Sequence, residues 1–408
     1  MPNTMALTPY GSNGSTDLTM AVLGCGTMGV AILSGILNSL AEMQGPKPLQ
    51  MLPKSGASTP VDEVPQRLPS RFIASVATAA GAKRVKSTLW EHSSILKVVH
   101  NDNLSAVQHS EVVLLTCKPW MVKEILSEAG ISKALHGKLL ISVCAGITVE
   151  DIEIALHGAV PSKDPEEDGR CRIVRAMCNT AAVIRESMTV IASTNPPLDT
   201  ATESLVTWIF KRIGDVVYLP TQHMNASTAL CASGPAFFAL VLEAAIDGAV
   251  AMGIPRPDAQ RMAVQSMRGM TGLVQNGEHP ALLREKVCTS GGCTIGGVLV
   301  MEEGRVRGTV SRAVREAAVV ASQLGKGVEG GDEPDQVEEP QHDPVQEPHL
   351  TKPVEDLAPA QVQESALQPA EESRSELGPL SPDASLFLVL SSTWQALRQL
   401  FRNNTHFC

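Results

Sequence analysis

TMAVLGCGTMGVAILSGIL, residues 19–37, runs from an apolar pentad through a glycine-rich turn into a helical pattern. Thr19–Leu23 reads as a buried strand and Thr27–Leu40 as the helix that follows it. Between them stands Gly24-Cys25-Gly26-Thr27-Met28-Gly29, a GxGxxG turn in the strand–turn–helix context that dinucleotide binding requires. Gly24 permits the tight turn, Gly26 lets the main chain approach a pyrophosphate, and Gly29 lets helix and strand pack closely. The N–H groups and dipole at the helix start then favour phosphate.

Outward from this unit, short apolar runs at Phe72–Val76, Ile95–Val99, Val112–Leu115, Leu139–Val143 and Ile173–Met177 alternate with helical stretches such as Val122–Glu128 and Val149–Leu156. Near-continuous apolar strands separated by helices predict an α/β protein with a Rossmann-like, doubly wound parallel sheet over residues 19–197. Six prolines between residues 44 and 70 exclude helix or central strand there and predict an inserted surface loop. The polar run 161–170 reads as a second loop. After Ser193 the pattern is helical apart from Val216–Leu219. Asp199–Lys211, Asn225–Cys231, Ala236–Met252, Pro257–Gln275, Pro280–Lys286 and Arg305–Leu324 predict an all-α C-terminal domain over 198–325. Several of these helices are apolar around most of their circumference and must be buried. A domain of roughly a hundred residues hardly buries them alone, so a homodimer or higher homo-oligomer is expected. The apolar stretch Pro235–Gly253 is interrupted by Glu243 and Asp247, which favours a buried core helix over a membrane span.

The chain has 408 residues and a formal charge of -10. Residues 329–378 carry fourteen acids against two bases, a charge of -12, which leaves +2 for everything else. The acidity therefore belongs to a Pro- and Glu-rich tail, 326–408, predicted to be disordered and to end in a short helical pattern around Leu386–Phe401. Aromatic residues are only 3%, which argues against base-stacking modules, and the charge argues against nucleic acid and acidic membrane as partners. Nine scattered cysteines form no CxxC pair, which favours a reducing compartment and no metal site. Residues 1–18, read as disordered, contain no basic or apolar targeting pattern, so a cytoplasmic location is expected.

Further motifs carry chemistry. Ser75 stands where an acid usually ends the second strand, and Lys83 and Arg84 follow. A hydroxyl with nearby cations suits a 2′-phosphate that a carboxylate would repel, which points to NADPH, with NADH as the second choice. The alternative for Lys83 and Arg84 is a solvated helix face. Thr116-Cys117-Lys118-Pro119 ends another strand, where ligands gather. Arg175-Ala176-Met177-Cys178-Asn179-Thr180 ends a third, and Asn179 either offers its amide to a nicotinamide or makes an Asx turn. Val287–Ile295 crowds hydroxyls and glycines into a turn before an apolar helix. Its free N–H groups suit a small carboxylate, while Thr294 serves either as a hydrogen-bonding group or as an N-cap.

In combination these segments resemble the pyrroline-5-carboxylate reductase family. The likeness spans about Thr19 to Gly325, apart from residues 44–70, and rests on Met20–Gly29, Leu114–Pro119, Ile141–Thr148, Arg175–Thr180, Ser233-Gly234-Pro235-Ala236 and Val287–Ile295. The resemblance implies a Rossmann domain followed by a helical domain that interlocks with its twin. It implies a cofactor site on Gly24, Cys25, Gly26, Thr27, Met28, Gly29, Ser75, Asn103, Thr116, Cys117, Lys118 and Pro119, with Ala145 nearby. It places the carboxylate of a cyclic imine on Thr289, Ser290, Gly291, Gly292, Cys293 and Thr294, with Thr294 beside the imine nitrogen. Two residues depart from the family pattern, Ser290 and Cys178, each where proline is usual. The implied activity is reduction of 1-pyrroline-5-carboxylate to L-proline, the last step of proline biosynthesis. Such chemistry orients two reactants and needs no metal or nucleophile. Two other readings stay open at this point: another NADP-dependent dehydrogenase of small keto or hydroxy acids, and a non-catalytic NADP(H)-binding regulator.

Overall fold

Eight strands form one sheet: β1 (Leu18–Leu23), β2 (Pro69–Val76), β3 (Leu96–His100), β4 (Val112–Leu115), β5 (Leu139–Ser142), β6 (Arg172–Met177), β7 (Ser187–Ala192) and β8 (Gly214–Leu219). The structure, a computed structural model, describes residues 18–44, 64–158 and 168–324. The strand order is β3-β2-β1-β4-β5-β6-β7-β8, and every neighbouring pair is parallel except β6 and β7. The order reverses between β1 and β4, the switch point at which doubly wound sheets open a crevice.

The helices are α1 (Thr27–Gln44), α2 (Ala79–Thr88), α3 (Asn103–Gln108), α4 (Val122–Leu126), α5 (Ile131–Ala134), α6 (Val149–His157), α7 (Thr200–Lys211), α8 (Met224–Ser227), α9 (Gly234–Ala251), α10 (Arg256–Gln275), α11 (Pro280–Val287), α12 (Cys293–Glu303) and α13 (Val306–Gln323). Alternation along β1 assigns its two faces. Met20 and Val22 pack with Ile32, Leu33, Ile36 and Leu37 of α1 and with Val206, Ile209 and Phe210 of α7. Ala21 and Leu23 pack on the opposite face with residues of α3 to α6. Strands covered on both sides must be apolar throughout, which is why β1, β4 and β5 read so plainly.

The expected domain boundary at residue 198 moves. Strand β7, which the pattern did not announce, pairs with β8, and α7 buries Leu205, Trp208 and Phe210 against the sheet. The sheet region therefore runs to Leu219, and helices alone follow from Met224. Pro69 opens β2, beside an irregularity between Leu18 and Thr19, so the predicted loop ends earlier than residue 70. Proline is tolerated there because a first strand residue need not donate to the ladder. The predictions for residues 1–17, 45–63, 159–167 and 325–408, including the acidic tail and its terminal helical pattern, lie outside the described residues.

Helix α9 is not covered within a single chain. Of its eighteen residues only Gly234 and Ile246 are buried, and Phe238, Leu240 and Val241 are exposed. Met262, Leu273, Leu299, Val300 and Val319 extend the exposed apolar surface over α10, α12 and α13. The stretch Thr221–Ala251 is long and apolar enough to cross a membrane by composition, although Pro235 and a π turn at Thr228–Ala232 interrupt it.

Candidate active site

The carboxyl ends of β1, β2, β4, β5 and β6 open into one cleft of about 510 Å³. Its floor begins at the Gly24–Met28 turn. Gly24 has φ +71°, and a Cβ there would lie 2.5 Å from Cys117 Cβ and 2.6 Å from Cys117 Cα, so no other residue fits without moving the strand beside it. At Gly29 a Cβ would stand 2.7 Å from Thr116 Oγ1, which confirms the close helix–strand approach. Thr116 Oγ1 in turn donates to Gly24 O at 2.9 Å, so this hydroxyl holds the turn and is not free for a ligand. At Gly26 a Cβ would meet nothing nearer than Gly24 O at 3.8 Å. The first i−4 bond of α1 is Val30 N to Gly26 O, which leaves the N–H groups of Thr27, Met28 and Gly29 without helical acceptors. No acid stands in that first turn. Among the residues lining the cleft, Arg84 and Lys118 are charged and none is acidic. Field and geometry together suit a polyphosphate.

Of the residues expected to hold the cofactor, the cleft lining includes Gly24, Cys25, Gly26, Thr27, Met28, Thr116, Cys117, Lys118, Pro119, Ala145 and Asn179, whereas Gly29 packs against Thr116 and lies outside it. Ser75 and Asn103 require correction. Ser75 is completely buried, and its hydroxyl donates to Asn103 Oδ1 at 2.8 Å, while Asn103 Nδ2 faces Glu128 Oε2 at 3.4 Å. The two side chains bond one another and line no part of the cleft. Strand β2 runs on to Val76, so Val76, Ala77 and Thr78 reach the cleft instead. Thr78 caps α2 by accepting from Gly81 N. Arg84 joins the lining from the same helix, whereas Lys83 is exposed and outside it. The motif Thr78-Ala79-Ala80-Gly81 is a legible helix start that sequence reasoning passed over.

At the far end, Val143, Cys144, Met177, Cys178, Thr180 and Ala232 complete the lining. Cys25 and Cys178 are held as thiols. Burial pushes the Cys25 thiol up to about 12, a rise that the Arg84 charge only partly offsets, and burial takes Cys178 to about 12 as well. Cys117 is raised by its hydrogen bond with Cys144 and by burial, and the Cys144 thiol points at the carbonyls of Cys117 and Leu115. Asn179 proves to be the Asx turn: its Oδ1 accepts from Ala181 N at 3.0 Å and its Nδ2 donates to Cys231 O at 2.9 Å. The residue lines the cleft with its carboxamide already engaged.

The second predicted constellation lies elsewhere. None of the residues lining the cleft comes from Val287–Ile295. Thr289 O accepts from Gly292 N at 3.0 Å across a tight turn, with Gly291 at φ +67° in its third position. Such a turn favours proline in its second position, where this chain has Ser290. Gly292, not Thr294, is the N-cap of α12, and it supplies no side-chain cap. The half-buried Thr294 hydroxyl therefore does not cap the helix and has no hydrogen-bond partner among the described residues. Among these residues there is no cluster able to hold a metal ion.

Comparison with known proteins adds a lineage to this geometry. Residues 221–324 match the family model described as pyrroline-5-carboxylate reductase dimerisation, and residues 70–146 match NADP oxidoreductase, coenzyme F420-dependent. The pyrroline-5-carboxylate reductase of Lophium arboricola is 59% identical over 315 residues, covering 77% of this chain and 96% of that protein. That of Schizosaccharomyces pombe is 38% identical over 309 residues, covering 75% and 98%. Among solved structures, Plasmodium falciparum pyrroline carboxylate reductase with NADP bound superposes with a TM-score of 0.58 at 21% identity, covering 76% of this chain and all of that one. The Streptococcus pyogenes 1-pyrroline-5-carboxylate reductase gives 0.59 at 20% identity, again over 76% and all of its chain. At these identities the superpositions establish the fold.

Proposed function

The chain belongs to the pyrroline-5-carboxylate reductase family, and we propose that its switch-point cleft and its Thr289–Thr294 turn together reduce 1-pyrroline-5-carboxylate to L-proline with NADPH. The observation that carries the reading is a cleft with open first-turn N–H groups, two cations and no acid, in a chain 59% identical to a reductase of that name. The residues fit the cofactor. A Cβ at Gly26 would meet nothing nearer than 3.8 Å, Thr27 and Met28 would offer N–H groups to the pyrophosphate, and Thr78 with Arg84 would hold the 2′-phosphate. Val143, Cys144, Ala145, Met177 and Cys178 give the nicotinamide end a largely apolar lining. NADPH, when bound, supplies the hydride.

The protein's share of the chemistry is orientation and charge. The N–H groups of Cys293, Thr294 and Ile295 open α12 and face no helical acceptor, so they suit the substrate carboxylate. The Thr294 hydroxyl, uncommitted in the fold, holds the imine nitrogen. Because the turn lines no part of this chain's cleft, the same turn of a second copy completes the site. The exposed apolar faces of α9, α10 and α12 support a homo-oligomer, and the dimerisation family model covers all three. A second copy, rather than lipid, then covers Thr221–Ala251. Eight free cysteines among the described residues fit a reducing, cytoplasmic setting. Oxidation of NADPH by purified protein in the presence of the cyclic imine, followed by absorbance, tests the reading. No loss of reduced nicotinamide, with proline absent from the products, would overturn it.

A further inference from the structure

Pro235 creates a vacancy in the helix that leads into α9. It has no N–H, so the carbonyl four residues earlier, Cys231 O, lacks its helical donor. The next candidate, Ala236 N, bonds Ser233 O at 3.0 Å, and Ser233 N reaches back five residues to Thr228 O at 3.1 Å, which makes the π turn. Cys231 O would be an orphan next to the cleft. Instead it accepts from Asn179 Nδ2 at 2.9 Å, across 52 residues of sequence. Asn179 is only 8% exposed. Its neighbours dictate its orientation, since Ala181 N–H must meet the oxygen and the Cys231 carbonyl must meet the amide nitrogen. Its own N–H donates to the buried Ser187 Oγ at 3.0 Å, which fastens the residue to β7. Asn179 is thus held on one side and bridges on the other.

Both ends of this bridge belong to the nicotinamide end of the cleft: Met177 to Thr180 on the sheet side and Ala232 on the helical side. We propose that Asn179 is a positioning residue for imine reduction, which sets the gap between the sheet and the helical region by replacing the donor that Pro235 removes. This rests on the reductase reading above. Asn179 touches neither reactant in this role; it acts through the π turn. A shift of about an ångström at a reacting pair lowers rate by as much as about a hundredfold, so a single bridge at this place has leverage.

Asn179→Asp provides the test, measured as single-turnover imine reduction with the enzyme saturated by NADPH. One carboxylate oxygen still accepts from Ala181 N, but the other faces the Cys231 carbonyl and repels it. Once protonated, the introduced carboxyl donates to that carbonyl as the amide did. Burial raises its pKa, so protonation comes into reach as pH falls. The expected result is a rate about ten- to a hundredfold below wild type at high pH. The ratio to wild type should climb towards one as pH falls, with NADPH affinity unchanged throughout. Asn179→Ser keeps an acceptor for the turn but cannot bridge, and should show the loss without the recovery. A ratio that does not change with pH, full rate in Asn179→Ser, or NADPH affinity falling in step with the rate would overturn the proposal. Wild-type enzyme that fails to reduce the imine would overturn the reductase reading and this inference with it; an active wild type with a pH-flat variant overturns the inference alone.

Discussion

Gly26→Ala separates a binding role from a folding role. In the folded chain a Cβ at residue 26 would find nothing nearer than Gly24 O at 3.8 Å, and the residue has no positive φ. The substitution therefore meets no steric obstacle within the protein. It also removes backbone freedom from the unfolded chain, worth about 0.4–1 kcal/mol in favour of folding. The melting temperature of the cofactor-free protein should hold or rise by about 1–3 °C. The methyl group would occupy the space where the turn meets the pyrophosphate. Displacing one charged hydrogen bond there costs about 1.5–3 kcal/mol, equivalent to about a 10- to 150-fold weaker Kd for NADPH. Titration by fluorescence and thermal unfolding with and without NADPH read both quantities on one sample. Gly24→Ala is the contrast. Its Cβ would overlap Cys117 at 2.5 Å and 2.6 Å at φ +71°. A left-handed alanine costs about 1–2 kcal/mol and the overlap about 1–3 kcal/mol, so this variant should melt several degrees lower even without cofactor. NADPH affinity in Gly26→Ala within about twofold of wild type, well inside the loss worked above, would refute the pyrophosphate assignment. A lowered melting temperature in that variant would refute the steric reasoning.

Arg84→Ala should weaken NADPH about tenfold and leave NADH unchanged, whereas Lys83→Ala, outside the cleft, should alter neither; equal losses for both cofactors would remove the 2′-phosphate assignment. Thr294→Val should lower kcat/KM for the imine about 5- to 150-fold with NADPH affinity retained, and Thr294→Ser should recover much of it. Because Gly292 is the cap, the melting temperature of Thr294→Val should stay near wild type, and near-normal turnover would take Thr294 out of the reaction. Asp199 caps α7; burial raises its pKa, but hydrogen bonds from Thr202 and Ala201 outweigh this and leave it depressed. The stabilisation is present above the unfolded pKa and is lost as pH falls through the folded one. Asp199→Ala should therefore cost about 0.5–2 kcal/mol at neutral pH, with the gap to wild type closing in acid on denaturant melts.

Local chemistry alone determined the glycine turn after β1, the apolar strands β4 and β5, and the hydroxyl-rich turn before α12. Each is a short pattern whose physics involves neighbours in sequence: a tight turn, burial on both faces of a strand, a helix start with free N–H groups. Tertiary structure decided what those patterns face. Ser75 has the right chemistry for a phosphate and the right place in the pattern, yet its hydroxyl turns inward to Asn103, 28 residues away. The strand ends at Val76 as read, and it is Val76, Ala77 and Thr78 that reach the cleft. The carboxamide of Asn179 suits a nicotinamide equally well on paper, yet Ala181 N–H takes its oxygen and the carbonyl of Cys231, 52 residues on, takes its amide nitrogen. Strand β7, which pairs with both β6 and β8, was not read from the pattern. The all-round apolar helices announced the need for a cover, but one chain leaves α9 exposed, so its burial belongs to assembly. Sequence states what each segment can do with its near neighbours; which distant group claims a polar atom first depends on where the chain returns.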